Sequence, residues 1–275
     1  MASSRATIRQ EAAKAWGRSV VVSTATTGST SSLVDNYRLL DSNESPNQYE
    51  GCWVMPYSGT VANVGRISRV GSYSPTSGTL SLSPSYPSAI ANGDGYELHN
   101  LLSPDDWNFA INWGLRKCVA NRVYSITPVA EQLQYTLPSW VEREDDVTDL
   151  WVETGASQRK RREKVPPYVW KVQEEADTLA LWLDHAYAPD VVNNLALIVE
   201  GIGHYDDLST DSATTTCPLD WAVWATISEA AQLFAEEIAA SQHTAAQRDV
   251  AKAIERFQEL SRAYRPTYAR SVSLR

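Results

Sequence analysis

The sequence predicts an α+β protein, and three observations lead there. Apolar residues recur at helical spacing at both ends of the chain and once near residue 110. Short stretches of alternating apolar and polar residues, set between glycine turns, fill the first hundred positions. From 127 to 212 such stretches come more densely and are punctuated by prolines. The expected architecture is a helical part (an N-terminal helix, a central helix and a C-terminal αα-hairpin) with a small set of short strands, plus an antiparallel β-sandwich domain. By position this gives 1–126 as N-terminal helix, short-strand barrel and closing helix. It gives 127–212 as the sandwich, 213–264 as a helical hairpin packing with the first domain, and 265–275 as an extended arginine-bearing tail.

Each element has a local reason. Residues 4–16 place Ile8, Ala12 and Trp16 on one helical face, and Gly17 suits the position after a helix end. Residues 19–24 are β-branched and read as a strand. Residues 24–32 are small and polar, and 41–49, with Pro46, read as an exposed connection. Cys52, Trp53, Val54 and Met55 form a buried strand, turned by Ser58-Gly59-Thr60. Leu80 and Leu82 alternate with serines between turns at Gly78 and Gly93-Asp94-Gly95, and Tyr96 and Leu98 begin the next strand. Ser103 is an N-cap, Pro104 stands at N1, and Asp106 faces the positive end of the helix dipole. Trp107, Ile111, Leu115 and Cys118 give that helix its apolar face, and it is expected to run over 103–124. Strands are expected at 132–137, 147–153, 168–174, 178–183 and 194–200, with Pro128, Pro138, Pro166, Pro167 and Pro189 in turns or on edges. Beyond Pro218, one apolar stripe runs through Leu219, Val223, Ile227 and Ala230. A second, after the capping pattern Thr244 to Gln247, runs through Val250, Ile254, Phe257, Leu260 and Tyr264.

Composition narrows the function classes. With 43% apolar and 21% charged residues over 275 positions, the chain is an ordinary globular sequence of one large or two modest domains. A net charge of −9 argues against nucleic-acid binding as the main task, because phosphate neutralisation needs a basic protein. Cys52, Cys118 and Cys217 are far apart and form no C-x-x-C pair, which argues against a zinc site or a disulfide framework. No signal peptide is read at the start, and no run of about 18 apolar residues would span a membrane. Ten Trp and thirteen Tyr against three Phe suit surfaces buried on assembly as well as cores.

Six segments stand in a telling order: 24–35 (T-x-T-x-G-S-T-x-x-L-V-D), Trp53-Val54, 58–67, 77–84 (S-G-T-L-x-L-x-P), 93–98 (G-D-x-Y-E-L) and 103–112. Together they resemble virion structural proteins of tailed bacteriophages, of the neck or head-to-tail connector (adaptor) type. The resemblance covers roughly residues 1–125 and brings no catalytic residue with it. It implies a homo-oligomeric ring, with portal and tail or nozzle proteins as neighbours, located in the virion neck and assembled in the host cytoplasm. The alternative is a tail, fibre or decoration protein using the sandwich as a binding module, with a hydrolase third.

Candidate sites were weighed on their residues. His204, Asp206, Asp207 and Asp211 could ligate a divalent ion, but adjacent aspartates on an extended chain diverge, and a solvated acidic loop is the preferred reading. Cys52 or Cys118 could act with one of His99, His185, His204 and His243, but both lie on apolar faces and read as structural. No G-x-S-x-G, G-x-x-x-x-G-K or H-E-x-x-H motif occurs. Catalytic, cofactor and metal sites are therefore not assigned. Arg159, Lys160, Arg161 and Arg162 form the strongest basic cluster and the one candidate for DNA contact. Arg262, Arg265, Tyr268, Arg270 and Arg275, on a stretch without acidic residues, are assigned to partner docking.

Overall fold

In the computed structural model the described residues are 2–16, 20–41, 44–46, 48–129, 132–154, 161–175, 178–184, 196–236 and 244–264. They fold as two compact units, one of residues 1–118 with 207–262, the other built on residues 119–206.

The first unit begins with β1 (Ser3–Ser4) and α1 (Arg5–Ala15). The Ser4 side chain caps α1 by accepting the Thr7 N–H at 3.2 Å. Seven strands follow: β2 (Val20–Thr24), β3 (Thr27–Gly28), β4 (Ser32–Val34), β5 (Trp53–Pro56), β6 (Ser68–Ser74), β7 (Thr79–Ser83) and β8 (Gly95–His99). They pair antiparallel in the order β2-β8-β5-β6-β7-β4-β3. The first and last strands of that order are separated in the chain by Ala25 and Thr26 alone, so the sheet curls until its two edges come together. Leu33, Val54, Leu80, Tyr96 and Leu98 fill its inside. Between β6 and β7 the chain turns through Gly78, whose φ is +57°; a Cβ there would lie 2.5 Å from the Asp35 carbonyl oxygen.

Helix α2 (Pro104–Lys117) starts in a complete capping box: Asp106 N–H donates to Ser103 Oγ, and Ser103 N–H donates to the Asp106 carboxylate, both at 3.1 Å. After the second unit the chain returns through β16 (Thr214–Thr215), which pairs with β1, and continues into α3 (Leu219–Leu233) and α4 (Thr244–Tyr264). Helices α2 and α3 cross closely at Gly114, where a Cβ would sit 2.9 Å from the Ala225 and Thr226 backbone. Trp16 packs edge-to-face on Trp107 at 5.9 Å, joining α1 to α2.

The second unit holds β9 (Val119–Ile126), β10 (Gln134–Thr136), β11 (Val147–Thr154), β12 (Arg161–Lys164), β13 (Trp170–Glu175), β14 (Thr178–Leu183) and β15 (Leu197–His204). One antiparallel sheet runs β12-β11-β15-β9, the other β10-β14-β13. Leu150, Val165, Leu181, Leu197 and Val199 lie in the apolar cluster that both sheets share.

The expected fold class needs correction. Strand outweighs helix, 34% against 29%, and the first unit is organised by a seven-stranded sheet rather than by helices with a few strands attached. Part of one expected loop, 24–32, forms β3 and the start of β4, which complete this sheet. The central helix also stops at Lys117 instead of running to 124. Residues 119–126 form β9, because Val119, Val123 and Ile126 are β-branched and β15 offers an eight-residue ladder for them. The turn expected at Ser241 to Thr244 falls outside the described residues except for Thr244, which opens α4. Among the described residues no helix is long and apolar enough to cross a membrane.

Candidate functional site

The densest arrangement of ionisable groups lies inside the first unit. Strand β8 alternates: Tyr96 and Leu98 enter the sheet's apolar interior, which turns Glu97 and His99 to the opposite face. There Arg9, from α1, meets Glu97 in a two-pronged pair, Nε to Oε2 at 2.7 Å and Nη2 to Oε1 at 2.9 Å. Arg9 Nη1 donates to Asn108 Oδ1 of α2 at 2.7 Å and to Asp211 Oδ1 at 2.8 Å, and Nη2 donates to Asp211 Oδ2 at 2.7 Å. All five guanidinium N–H donors are thereby used. Gln10 donates to Glu97 Oε1 at 2.9 Å, His99 Nε2 lies 2.8 Å from Glu97 Oε2, and Arg5 Nε donates to Asp211 Oδ1 at 3.0 Å. The side chains of Arg9, Glu97 and His99 are fully buried.

Electrostatics follow from this geometry. Burial alone would lower the Arg9 pKa; the hydrogen bonds to Asp211 and Glu97 outweigh it and hold the guanidinium charged. Burial pushes Glu97 upward, but the hydrogen bonds from His99 and Arg9 bring it below the ordinary carboxylate range. Asp211 is lowered in the same way, against burial, by Arg9 and then Arg5. Burial lowers His99 and keeps it neutral, with Nδ1 unpartnered. The cluster's charges satisfy one another, and Arg9, Glu97 and His99 are closed off from solvent. Its chemistry is that of a clasp holding α1, β8, α2 and the 207–215 segment together.

A second buried carboxylate, Asp35, accepts from Ser23 Oγ at 2.6 Å, from Tyr96 Oη at 2.8 Å and from the Tyr37 and Arg38 N–H groups. Burial pushes it upward, yet these donors leave it below the usual range.

The residues weighed for metal binding do not converge. Asp206 pairs with Arg122 at 2.8 Å, Asp207 takes a two-pronged contact from Arg116, and Asp211 belongs to the clasp. His204 Nδ1 lies 2.8 Å from the Tyr205 carbonyl oxygen. All three cysteines are buried. Burial pushes Cys52 up to about 11, and raises Cys118 further, with Cys217 beside it. Neither thiol is a ready nucleophile.

Among the basic residues, Arg161 and Arg162 lie in β12, in register with Thr154 and Glu153; Arg159 and Lys160 fall outside the described residues. Arg262 is exposed near the end of α4, and Arg265, Tyr268, Arg270 and Arg275 fall outside the described residues.

Sequence reasoning missed two features. One is the clasp, whose available signal was two ionisable residues on one face of a strand otherwise read as buried. The other lies on the outer face of α2. Phe109 and Trp113 are 52% and 41% exposed, their rings 6.1 Å apart, and the Arg116 guanidinium stands 5.5 Å over Trp113. Aromatic residues on both faces of one helix were the signal. Exposed Trp and Phe with an adjoining Arg have the composition of a contact anchor. Two cavities among the described residues each bring a few polar groups together. The one of ≈ 760 Å³ beside Ile67 and Pro84 includes Arg66 and Tyr86, and the one of ≈ 210 Å³ beside Trp170 and Trp182 includes Tyr168, Lys171 and Asp184. Compared with known proteins, the chain matches no family model and no curated protein sequence.

Proposed function

We propose that this chain is a non-enzymatic virion structural protein of a tailed bacteriophage, a head-to-tail adaptor that works as a closed ring between portal and tail. The ordered six-segment resemblance over residues 1–125 carries the reading. The geometry that supports it is the contrast within the first unit: the buried Arg9, Glu97 and His99 are spent on the internal clasp, while Phe109, Trp113 and Arg116 stay outside as contact anchors. A closed ring requires two different faces of each subunit to meet. In this reading the aromatic face of α2 is one of them, and any DNA contact through the 159–162 cluster is secondary. The test is electron cryo-microscopy of the purified full-length chain and of the particles of the virus that encodes it. Closed rings, and density for the chain at the neck, are the expected results. A chain missing from mature particles overturns the proposal.

One observation favours a second reading, a tail, fibre or decoration protein. The cavity beside Trp170 and Trp182 combines aromatic rings with Lys171 and Asp184 and has Tyr168 at its rim, 83% exposed, a mixture suited to a sugar ring. Density away from the neck, together with saturable polysaccharide binding lost in Tyr168→Ala, would favour it over the adaptor.

A further inference from the structure

We propose that the outer edge of β9 accepts a β-strand from a second copy of this chain, and that the incoming strand is residues 267–275. Open sheet edges invite pairing with another chain, and proteins guard them with short length, charge, proline or bulges. The other described edges are guarded. β12 is four residues, all charged; β10 is three; β1, β3 and β16 are two each; β13 carries Lys171, Glu174 and Glu175; β2 is half-buried from Val20 to Ser23. β9 has none of these devices. Its eight residues stay in unbroken register with β15, and it contains no proline, lysine or bulge. Its single charge, Arg122, is held by Asp206 at 2.8 Å and lies 5.3 Å over the Tyr205 ring. Val119, Val123 and Tyr124 are 38%, 59% and 40% exposed, and no described strand pairs with the outer side.

The occupant follows from complementarity. Val123 and Tyr124 are 59% and 40% exposed, and we assign the incoming strand to another copy. Residues 267–275, which lie outside the described residues, read Thr-Tyr-Ala-Arg-Ser-Val-Ser-Leu-Arg. Tyr268, Arg270, Val272 and Leu274 alternate with small residues, the pattern of a strand with one apolar side. Its nine residues match the eight of β9. On the sheet, Ile126 enters the core while Tyr124, on the same face, stays half outside, so an added Val272 and Leu274 would extend the apolar surface there. Charge agrees: the segment has two arginines and no acidic residue, and residues 119–206 carry fifteen acidic against eight basic side chains. Main-chain hydrogen bonds would supply the affinity and the alternating side chains the register. The contact joins two different surfaces, so it propagates head-to-tail. It goes beyond the virion reading and stands without it.

The test uses full-length chains. Tyr124→Cys and Val272→Cys variants, whose side chains would share one face of the extended sheet, are prepared separately, mixed, oxidised by dissolved oxygen and separated by non-reducing electrophoresis. The expected product is an intermolecular disulfide between the two variants, about tenfold above either variant alone. Absence of that product overturns the proposal. So does a dominant Tyr124→Cys homodimer, which would mean that the edge pairs with itself, or a double variant that links only within one chain. In parallel, sedimentation velocity on Val123→Lys and on a chain lacking residues 265–275 should show self-association weakened at least about tenfold. The deletion removes only residues outside the described ones, so it decides the matter if Val123→Lys misfolds. Undiminished association of the shortened chain overturns the proposal.

Discussion

Arg9 shows how one residue sets the stability of the first unit. A buried charge is tolerated when every donor is met, and all five of its donors are. Replacing it with methionine keeps the volume but leaves the Glu97 carboxylate buried without its counter-charge. Arg9→Met is therefore expected to lower the stability of the unit by about 3–5 kcal/mol in equilibrium urea unfolding. A loss below about 1 kcal/mol would mean that the pair is dispensable. The same cluster sets the acid response. Glu97, Asp211 and Asp35 have depressed folded pKa values, so their contribution is present above the unfolded value of about 4 and is lost as pH falls through the folded ones. His99 is also lowered, so the unfolded chain takes up its proton first and stability begins to fall below about pH 6.5. Two declines in melting temperature are expected, one beginning near neutrality and one in acid. His99→Gln should flatten the first and leave the second.

At the scale of the element, α2 has two working faces. Its inner face, Trp107, Ile111 and Leu115, is fully buried, and Gly114 lets α3 approach. A methyl group at 114 would meet backbone that cannot swing aside, so Gly114→Ala is expected to destabilise by about 1–3 kcal/mol in the same unfolding experiment. The outer face is the opposite case. Removing exposed side chains there, as in Phe109→Ala with Trp113→Ala, should change the stability of the isolated chain by no more than about 0.5 kcal/mol. Ring formation, or recruitment to the neighbouring virion component, should fail. If that double variant assembles normally, the outer face of α2 is not a subunit contact.

At the scale of the molecule, the second unit is an insertion with adjacent ends. Val119 opens β9 and is the ladder partner of His204, which closes β15. In the first unit Arg116 and Asp207 are joined by two hydrogen bonds, so the chain leaves and re-enters at one place. Insertions with adjacent ends can be excised without stretching the host unit. A chain joining residue 118 to residue 207 through a short glycine-serine linker should fold, with a cooperative thermal transition and near-ultraviolet dichroism from Trp16 and Trp107. Recovery only as aggregate would mean that the first unit needs the second to fold.

The sequence by itself determined what depends on a few consecutive residues. The Ser103 cap, the turn at Gly78, the inward Leu80 and Leu82, and the start of α3 after Pro218 were legible because caps, turns and alternation are local effects. Only the tertiary structure decided what depends on distant partners. Residues 119–126 follow a helix without a break and carry no sign of where it ends; the β15 ladder, some eighty residues later, makes them a strand. The small outer strands joined one seven-stranded sheet because β4, β7 and β8 found neighbours far along the chain. Arg9, Glu97 and Asp211 stand far apart in sequence, and nothing local marks them as partners. They form a clasp because folding buries them side by side, where an unpaired charge would be far costlier than a paired one.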